Sequence, residues 1–172
     1  LGVSLQYGGL YNLDTEEVGN HSALAAHYEL NKGKWNVKAQ FITAAHNPEN
    51  ADGETRDVIS MAAYGYPYQV AADFNMYTFA VSRNVPVTWG PISNLQFYND
   101  FAYMEKSATG FTDSYMNVTG VLVSAGNLYT YFDYAAGYNH SWLGGNFVDD
   151  FAKGNPDAEW EARFNINIGY YF

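Results

Sequence analysis

The last thirteen residues of the chain alternate between apolar side chains and polar or small ones. Because successive side chains of a β-strand point to opposite faces, this pattern predicts a strand with one apolar and one polar face. The apolar positions are Trp160, Ala162, Phe164, Ile166, Ile168, Tyr170 and Phe172; the polar face includes Glu161, Arg163, Asn165 and Asn167. The segment is longer than a typical strand of a soluble sheet, and its length suits a tilted crossing of a bilayer.

Other segments repeat the same alternation. They are residues 1–12, 21–30, 35–46, 74–85, 95–104, 114–123 and 128–139. The sequence therefore predicts about eight strands in one domain covering residues 1–172. The expected fold class is all-β, an antiparallel transmembrane β-barrel segment.

The predicted connections alternate in length. Short turns are predicted at 31–34, 86–93 and 124–127, and long connections at 13–20, 47–73, 105–113 and 140–159. Outer-membrane barrels have short periplasmic turns and long external loops, and every short turn falls on the side where Phe172 ends. Four prolines (Pro48, Pro86, Pro91 and Pro156) are predicted between strands, where a missing N–H does no harm.

This alternation holds only if residues 58–69, which include Pro67, form a loop and not a ninth strand. The surrounding segment 57–73 is nevertheless too apolar for a fully solvated loop. It could fold into the barrel as a constriction, pack against a neighbouring subunit, or form a short surface helix.

Composition excludes several classes of protein. The chain has 18 acidic and 8 basic residues, a net charge of −10 that argues against a nucleic-acid partner. It has no cysteine, and no run approaches the 18 apolar residues that a transmembrane helix needs. It starts at Leu1 without a signal-peptide pattern, so we expect a processed protein or a fragment.

Polar side chains on the predicted inner face are the candidates for lining a pore. They are His27, Glu29, Lys38, Gln40, Asp100, Asp133, Glu161, Arg163, Asn165 and Asn167. Opposed charges across a lumen would set a transverse field and filter solutes. The alternative is a salt-bridge network that fills a small closed barrel. Asn99 does not fit, because strict alternation directs it to the apolar face.

Aromatic residues lie near the predicted strand ends, which is typical of the membrane interface. They are Tyr7, Tyr11, Trp35, Tyr77, Phe97, Tyr103, Tyr129, Tyr131, Tyr170 and Phe172. A soluble aromatic core is the alternative, but such a core would leave few apolar strand faces exposed.

Catalytic and metal-binding motifs are absent from the sequence. It contains no G-x-S-x-G, H-E-x-x-H or phosphate-binding loop, and its four histidines lack metal-ligand spacing. Acidic loops could bind Ca²⁺, but no EF-hand spacing is present. We expect no enzyme activity, no cofactor and no metal site.

Two stretches resemble a known family. Residues 86–101 (PVTWGPISNLQFYNDF) are similar to the PVEWGP…FYNDY run of porins related to the phosphate-selective O and P type. Residues 117–131 resemble that group's tight Ala-Gly turn followed by a Tyr-rich strand, and residues 56–72 resemble its apolar external loop.

The resemblance implies a bacterial outer-membrane porin, a homotrimer of 16-stranded barrels, with this chain as the C-terminal half. It also implies that Phe164, Ile166, Ile168, Tyr170 and Phe172 form the C-terminal signal read by the barrel-assembly machinery. Phosphate-selective members line the pore with Arg and Lys, and this chain has only eight basic residues, so phosphate selectivity is not carried over.

The sequence therefore favours a diffusion channel for small hydrophilic solutes or ions, surrounded by outer-membrane lipid. The alternative is a complete eight-stranded outer-membrane barrel that has a structural or adhesion role through its external loops.

Overall fold

The computed structural model describes residues 1–63 and 65–172, and the fold over these ranges is all-β. The strands are β1 (Gly2–Tyr11), β2 (Val18–Lys32), β3 (Trp35–Asn47), β4 (Val58–Ala63), β5 (Tyr66–Ala71), β6 (Asp73–Trp89), β7 (Ile92–Lys106), β8 (Ser114–Ala125), β9 (Leu128–Tyr138) and β10 (Glu161–Tyr170). Within the described ranges, no helix is long and apolar enough to span a membrane.

Eight strands form one antiparallel sheet in the order β1-β2-β3-β6-β7-β8-β9-β10. This confirms the predicted all-β, antiparallel class. The eight predicted segments all lie in this sheet, but the described residues form ten strands and not about eight. The sheet is not closed: over the described residues, β1 pairs only with β2 and β10 pairs only with β9. All long connections lie at one end of the sheet, here called the loop end, and the short turns lie at the opposite turn end.

The three short turns share one geometry. The pairs Lys32↔Trp35, Trp89↔Ile92 and Ala125↔Leu128 each close a two-residue loop. The first loop residue is Gly33, Gly90 or Gly126, with φ of 62°, 58° and 60°. Two-residue hairpins need positive φ at this position so that their twist matches the strands, and glycine adopts it without strain.

Residues 58–69 are not a loop, and this prediction was wrong. They contribute to a hairpin in which β4 and β5 pair only with each other (Val58↔Ala71 to Ala63↔Tyr66). Tyr64, which belongs to the same range, lies outside the described residues. Because the hairpin is an insertion between β3 and β6, which pair directly, it leaves the alternation of long and short connections intact.

Two prolines lie in strands, contrary to the prediction. Pro67 is in β5, and Pro86 is in β6, where it pairs with Asn94 next to a register shift. The pairing of β3 with β6 stops at Trp35↔Arg83, so β6 has only β7 beside it at Pro86. A missing N–H is therefore tolerated there.

The register divides the main sheet into two faces. One carries polar side chains and lines a groove, and we call it the groove face. The other, the apolar face, is exposed: Leu5, Phe164 and Ile168 retain 79%, 61% and 67% of their accessible surface. Large apolar side chains on such a continuous exposed face mark a surface that a partner or lipid covers.

Glycines on the groove face accept rings from the adjacent strand. A Cβ on Gly2 would collide with the His27 ring, and one on Gly169 would collide with Tyr129. Gly120 is covered in the same way by Tyr98. Rings that lie over glycines protect the exposed backbone and stabilise the register of neighbouring strands.

Asn99 lies on the apolar face, as strict alternation predicts, and it is not alone there. Its Nδ2 donates to Thr119 Oγ1 at 2.7 Å and to Asn117 Oδ1 at 3.0 Å across the β7–β8 pair. The three polar side chains satisfy one another, which lowers the cost of placing them among apolar neighbours.

Candidate functional site

The groove face encloses a groove of about 620 Å³. Its lining comes from six strands, and the sheet therefore curves around it. The side chains that face it are Asn31, Asn36, Lys38, Ala80, Ser82, Asn84, Gln96, Tyr98, Asp100, Val118, Tyr131 and Asp133. Polar groups dominate this lining, which suits contact with water and hydrophilic solutes.

An ion pair lies on the β2–β3 wall of the groove. Lys38 Nζ is 3.9 Å from Glu29 Oε1, and both side chains are about half exposed. Asn36 Nδ2 donates to the same Glu29 oxygen at 2.6 Å. The positive charge of Lys38 is thus partly offset by the Glu29 carboxylate before any solute approaches.

Two aspartates lie on the opposite part of the wall. Tyr98 donates its hydroxyl to Asp133 Oδ1, and the Tyr98 ring lies 6.1 Å from that of Tyr131 in an edge-on contact. Neither Asp100 nor Asp133 has a cationic side chain within 4 Å over the described ranges. Both carboxylates therefore face the groove without an ion-pair partner.

Amide side chains cover the turn end of the groove. Asn94 Nδ2 and Gln96 Nε2 donate to Asn84 Oδ1 at 3.2 and 3.3 Å. Amide side chains have both hydrogen-bond donors and acceptors, so this part of the wall can form hydrogen bonds with solutes of either charge.

At the loop end, the β4–β5 hairpin packs over the groove face. Val70 and Ala71 form a small core with Met104, against which Met76 and Phe151 pack. The backbone N–H groups of Gln69 and Ala71 donate to the carbonyls of Val148 and Phe151 at 2.7 and 2.9 Å. The apolar 57–73 segment is thus neither a free loop nor a helix where it is described, and its apolar side chains pack on the groove face at this end.

The long connection 139–160 is fixed by buried polar contacts. Lys106 Nζ and Ser114 Oγ donate to the Asp150 carbonyl at 2.6 and 3.0 Å, and both residues are buried. Burial lowers the pKa of His140 to about 4, and Arg163 adds to this shift. Burial also raises the pKa of Asp150. The connection is therefore a folded cap.

A row of aromatic residues crosses the apolar face near the loop end. The row is Phe41, Tyr77, Tyr103, Tyr115 and Tyr138, which are direct cross-strand partners from β3 to β9. Neighbouring rings lie 4.8 to 6.0 Å apart.

The hydroxyls of this row reach polar groups at the loop end. Tyr103 donates to Asp113 Oδ2 at 2.8 Å, and Tyr77 donates to Glu105 Oε2 at 3.4 Å. These two tyrosines thus join an apolar band to a polar edge, which is an arrangement favoured at a membrane–water interface.

The register places all the predicted pore-lining residues on the groove face, although their role in a pore stays a prediction. Lys38, Asp100 and Asp133 share the groove, and Glu29 joins them through Lys38. His27 pairs with Gln40 beside it. Glu161 lines a smaller cavity of about 200 Å³ beneath the cap, while Arg163, Asn165 and Asn167 lie along the edge strand β10.

Two predicted interface aromatics are on the other face. Tyr131 lines the groove and Tyr129 covers Gly169, so their assignment to an outer aromatic belt was wrong. Sequence reasoning also missed Tyr98, Asn84 and Gln96 as groove residues. For Gln96 and Tyr98 the signal was present, because Asn94, Gln96, Tyr98 and Asp100 alternate along β7.

Comparison with known protein families, curated proteins and solved structures found no match for the chain. Within the part of the chain that the structure describes, no three His, Asp or Glu side chains are grouped as metal ligands.

Proposed function

We propose that this chain forms part of the wall of a bacterial outer-membrane porin, through which small hydrophilic solutes or ions diffuse passively. The groove face is the pore wall, and the apolar face contacts outer-membrane lipid and neighbouring subunits of a homotrimer. The loop end faces outward, and the turn end faces the periplasm.

The aromatic row on the apolar face is the observation that carries this proposal. A soluble two-faced sheet buries its apolar face and exposes its polar one. Here the apolar face is exposed, it is crossed by a row of rings with hydroxyls toward polar groups, and the polar face surrounds the groove. This inverted arrangement is typical of outer-membrane barrels.

The open edges fit a barrel with further strands. In lipid every backbone N–H and C=O needs a partner, so β1 and β10 have to pair with other strands or with each other. We propose that they pair with the remaining strands of a barrel of about sixteen, as the family resemblance implies. The alternating C-terminal residues Phe164 to Phe172 are exposed along edge strand β10 and just beyond its end, and would then be available to the barrel-assembly machinery.

A second candidate is a closed eight-stranded barrel that acts through its loops in adhesion or envelope structure. Hydrogen bonds between the long connections at the loop end favour it, because they make these connections one ordered surface. Thr15 Oγ1 donates to the Glu49 carbonyl at 2.7 Å, and Thr112 N donates to the Lys153 carbonyl at 2.8 Å. The groove argues against it, because a closed barrel of this size is filled by side chains.

Planar-bilayer conductance of the detergent-purified native protein tests the proposal. We expect steady single-channel currents from a heat-labile trimer larger than three copies of this chain. A monomer of about this mass that passes no current would contradict the porin and favour the closed barrel.

A matched pair of variants links the current to the groove. Ala80→Trp adds bulk to the groove wall, whereas Ala39→Trp adds the same bulk to the apolar face on the neighbouring strand. We expect Ala80→Trp to lower single-channel conductance and Ala39→Trp to leave it unchanged. Equal effects would show that the current does not pass along the groove.

A further inference from the structure

The charges of the chain are unevenly distributed between the two ends of the sheet. The long connections (12–17, 48–72, 107–113 and 139–160) contain twelve of the eighteen acidic residues but only two of the eight basic ones, Arg56 and Lys153. Since the topology places all four connections at one end, the loop end is strongly negative.

The turn end has the opposite sign. The two-residue loops at 33–34, 90–91 and 126–127 contain Lys34 and no acidic residue, and Lys32 and Arg83 lie beside them. Arg83 lies over the Trp35 ring, 5.2 Å from its centroid, on the apolar face and away from the groove. The basic residues of this end therefore contribute little charge to the groove wall.

The groove itself continues the negative sign. Asp100 and Asp133 line it without an ion-pair partner over the described ranges, whereas Lys38, the one basic residue in its lining, is 3.9 Å from Glu29. The Tyr98 hydroxyl stabilises the Asp133 carboxylate as an acceptor without neutralising it. A passage with carboxylates at its mouth and on its wall concentrates cations and repels anions.

We infer that the pore prefers cations to anions, and that Asp100 and Asp133 contribute to this preference from within the groove. The inference rests on the proposed function, since it concerns ions in the same passage, and it names their sign. It is also the reverse of what a ladder of Arg and Lys would produce.

The preference depends on ionic strength. The Debye length is about 10 Å at 0.1 M salt and about 3 Å at 1 M, so wall carboxylates act across the passage only in dilute solution. We expect a several-fold excess of K⁺ over Cl⁻ permeability in dilute KCl, which declines toward equality near 1 M.

The test is the zero-current potential of the native full-length protein in a planar bilayer under an about tenfold KCl gradient, kept dilute so that screening is weak. A cation-preferring pore makes the dilute side positive. The double variant Asp100→Asn/Asp133→Asn should reduce this potential. Asp100→Asn alone is compared with Glu105→Gln as its matched control, because each removes one negative charge from β7, the first on the groove face and the second on the apolar face.

The outcomes are distinct. The inference is supported if the zero-current potential is positive on the dilute side, is reduced in the double variant and is unchanged in the control. A steady current with zero or negative potential overturns the cation preference but leaves the porin standing. A cation preference that the double variant does not change overturns the role of the two aspartates. Absence of any current overturns the proposed function and the inference together. Heat-dependent migration in gels shows whether each variant is folded.

Discussion

At the scale of single residues, Gly19 illustrates how a missing side chain permits close approach of two backbone segments. A Cβ at this position in β2 would lie 3.0 Å from the Asn47 carbonyl carbon, closer still to its oxygen, and 3.1 Å from Pro48 Cα. Backbone atoms cannot move aside as a flexible side chain can. The residue thereby fixes where β3 ends and the long connection begins.

We predict that Gly19→Ala lowers the free energy of unfolding by about 1–3 kcal/mol, because the added methyl group overpacks a site bounded by backbone. Urea unfolding in detergent micelles measures the change. Gly9→Ala is the control, since its Cβ would lie 3.1 Å from the Val18 Cγ1 methyl group, which can shift, and in ordinary contact at 3.9 Å with the Gly19 carbonyl oxygen. Equal losses for both variants would mean that the backbone contact is not the cause.

The three hydrogen-bonded polar residues on the apolar face, Asn99, Asn117 and Thr119, give a second prediction at the residue scale. Asn99→Leu removes the shared partner of Asn117 and Thr119, which then keep only their long mutual contact of 3.4 Å. It should cost about 1–3 kcal/mol of unfolding free energy, because their remaining hydrogen-bonding groups are unsatisfied in apolar surroundings. The triple variant Asn99→Leu/Asn117→Leu/Thr119→Val removes every partner at once and should be close to the wild type. Measured by the same unfolding experiment, an additive loss in the triple variant would contradict this explanation.

At the scale of elements, the cap 139–160 should be sensitive to acid. The pKa of His140 is lowered to about 4 in the folded protein, so its neutral form stabilises the docked cap above its unfolded pKa of about 6.5. This contribution is lost as pH falls from about 6.5 through about 4. Asp150, whose pKa is raised, becomes neutral more readily in the folded state and partly offsets the loss. We therefore expect the cap to loosen below about pH 5.

Hydrogen exchange measures this loosening. The amides of Gln69 and Ala71 donate to the cap carbonyls of Val148 and Phe151, and their protection factors should fall on acidification after correction for the intrinsic exchange rate. His140→Gln, which cannot become charged, should keep protection more nearly constant. Equal acid sensitivity in this variant would assign the effect to another group.

The elements also show what alternation can and cannot predict. The two-residue alternation correctly predicted that Lys38, Asp100 and Asp133 share one face, because the strand pairing that connects them keeps its register. The register shift between Pro86 and Trp89 lies beyond these residues. The same rule applied to β9 places Tyr129 and Tyr131 with Asp133. Their assignment to an outer belt failed because it used nearness to the strand end and not the facing of the side chain.

The β4–β5 hairpin lay beyond such reasoning. Its strands pair only with each other, and its position depends on contacts with residues far along the chain, such as Gln69 with Val148 and the Tyr68 ring with that of Phe147. A local apolar pattern indicates that a segment is buried, but it does not predict which distant residues the segment packs against. The predicted tendency of 57–73 to fold inward was informative, while its secondary structure was not predictable in this way.

At the scale of the whole molecule, two tryptophans lie in different surroundings, and the difference can test which face of the sheet contacts lipid. Trp160 lies at the end of the aromatic row, with its ring centroid 6.2 Å from that of Tyr115 and 6.1 Å from that of Tyr138. Trp142 instead lies within the cap and packs between the cap and the β4–β5 hairpin, with its ring centroid 4.8 Å from that of Phe147 and 5.7 Å from that of Tyr68. The two indoles have similar chemistry and differ in the surface that surrounds them.

Fluorescence quenching by lipid measures this difference. Two single-tryptophan variants are reconstituted into bilayers; one retains Trp160, the other retains Trp142, and both carry Phe at the other tryptophan positions. If the apolar face contacts lipid, lipids brominated close to the headgroup should quench Trp160 strongly, because the aromatic row lies at the interface. Trp142 should be quenched weakly by the same lipids, since protein separates it from them. Strong quenching of Trp142 with weak quenching of Trp160 would contradict the proposed lipid contact of the apolar face. The groove would then face lipid, and the exposed apolar face would face water. Because an exposed apolar surface of this extent is costly in water, we expect the first result.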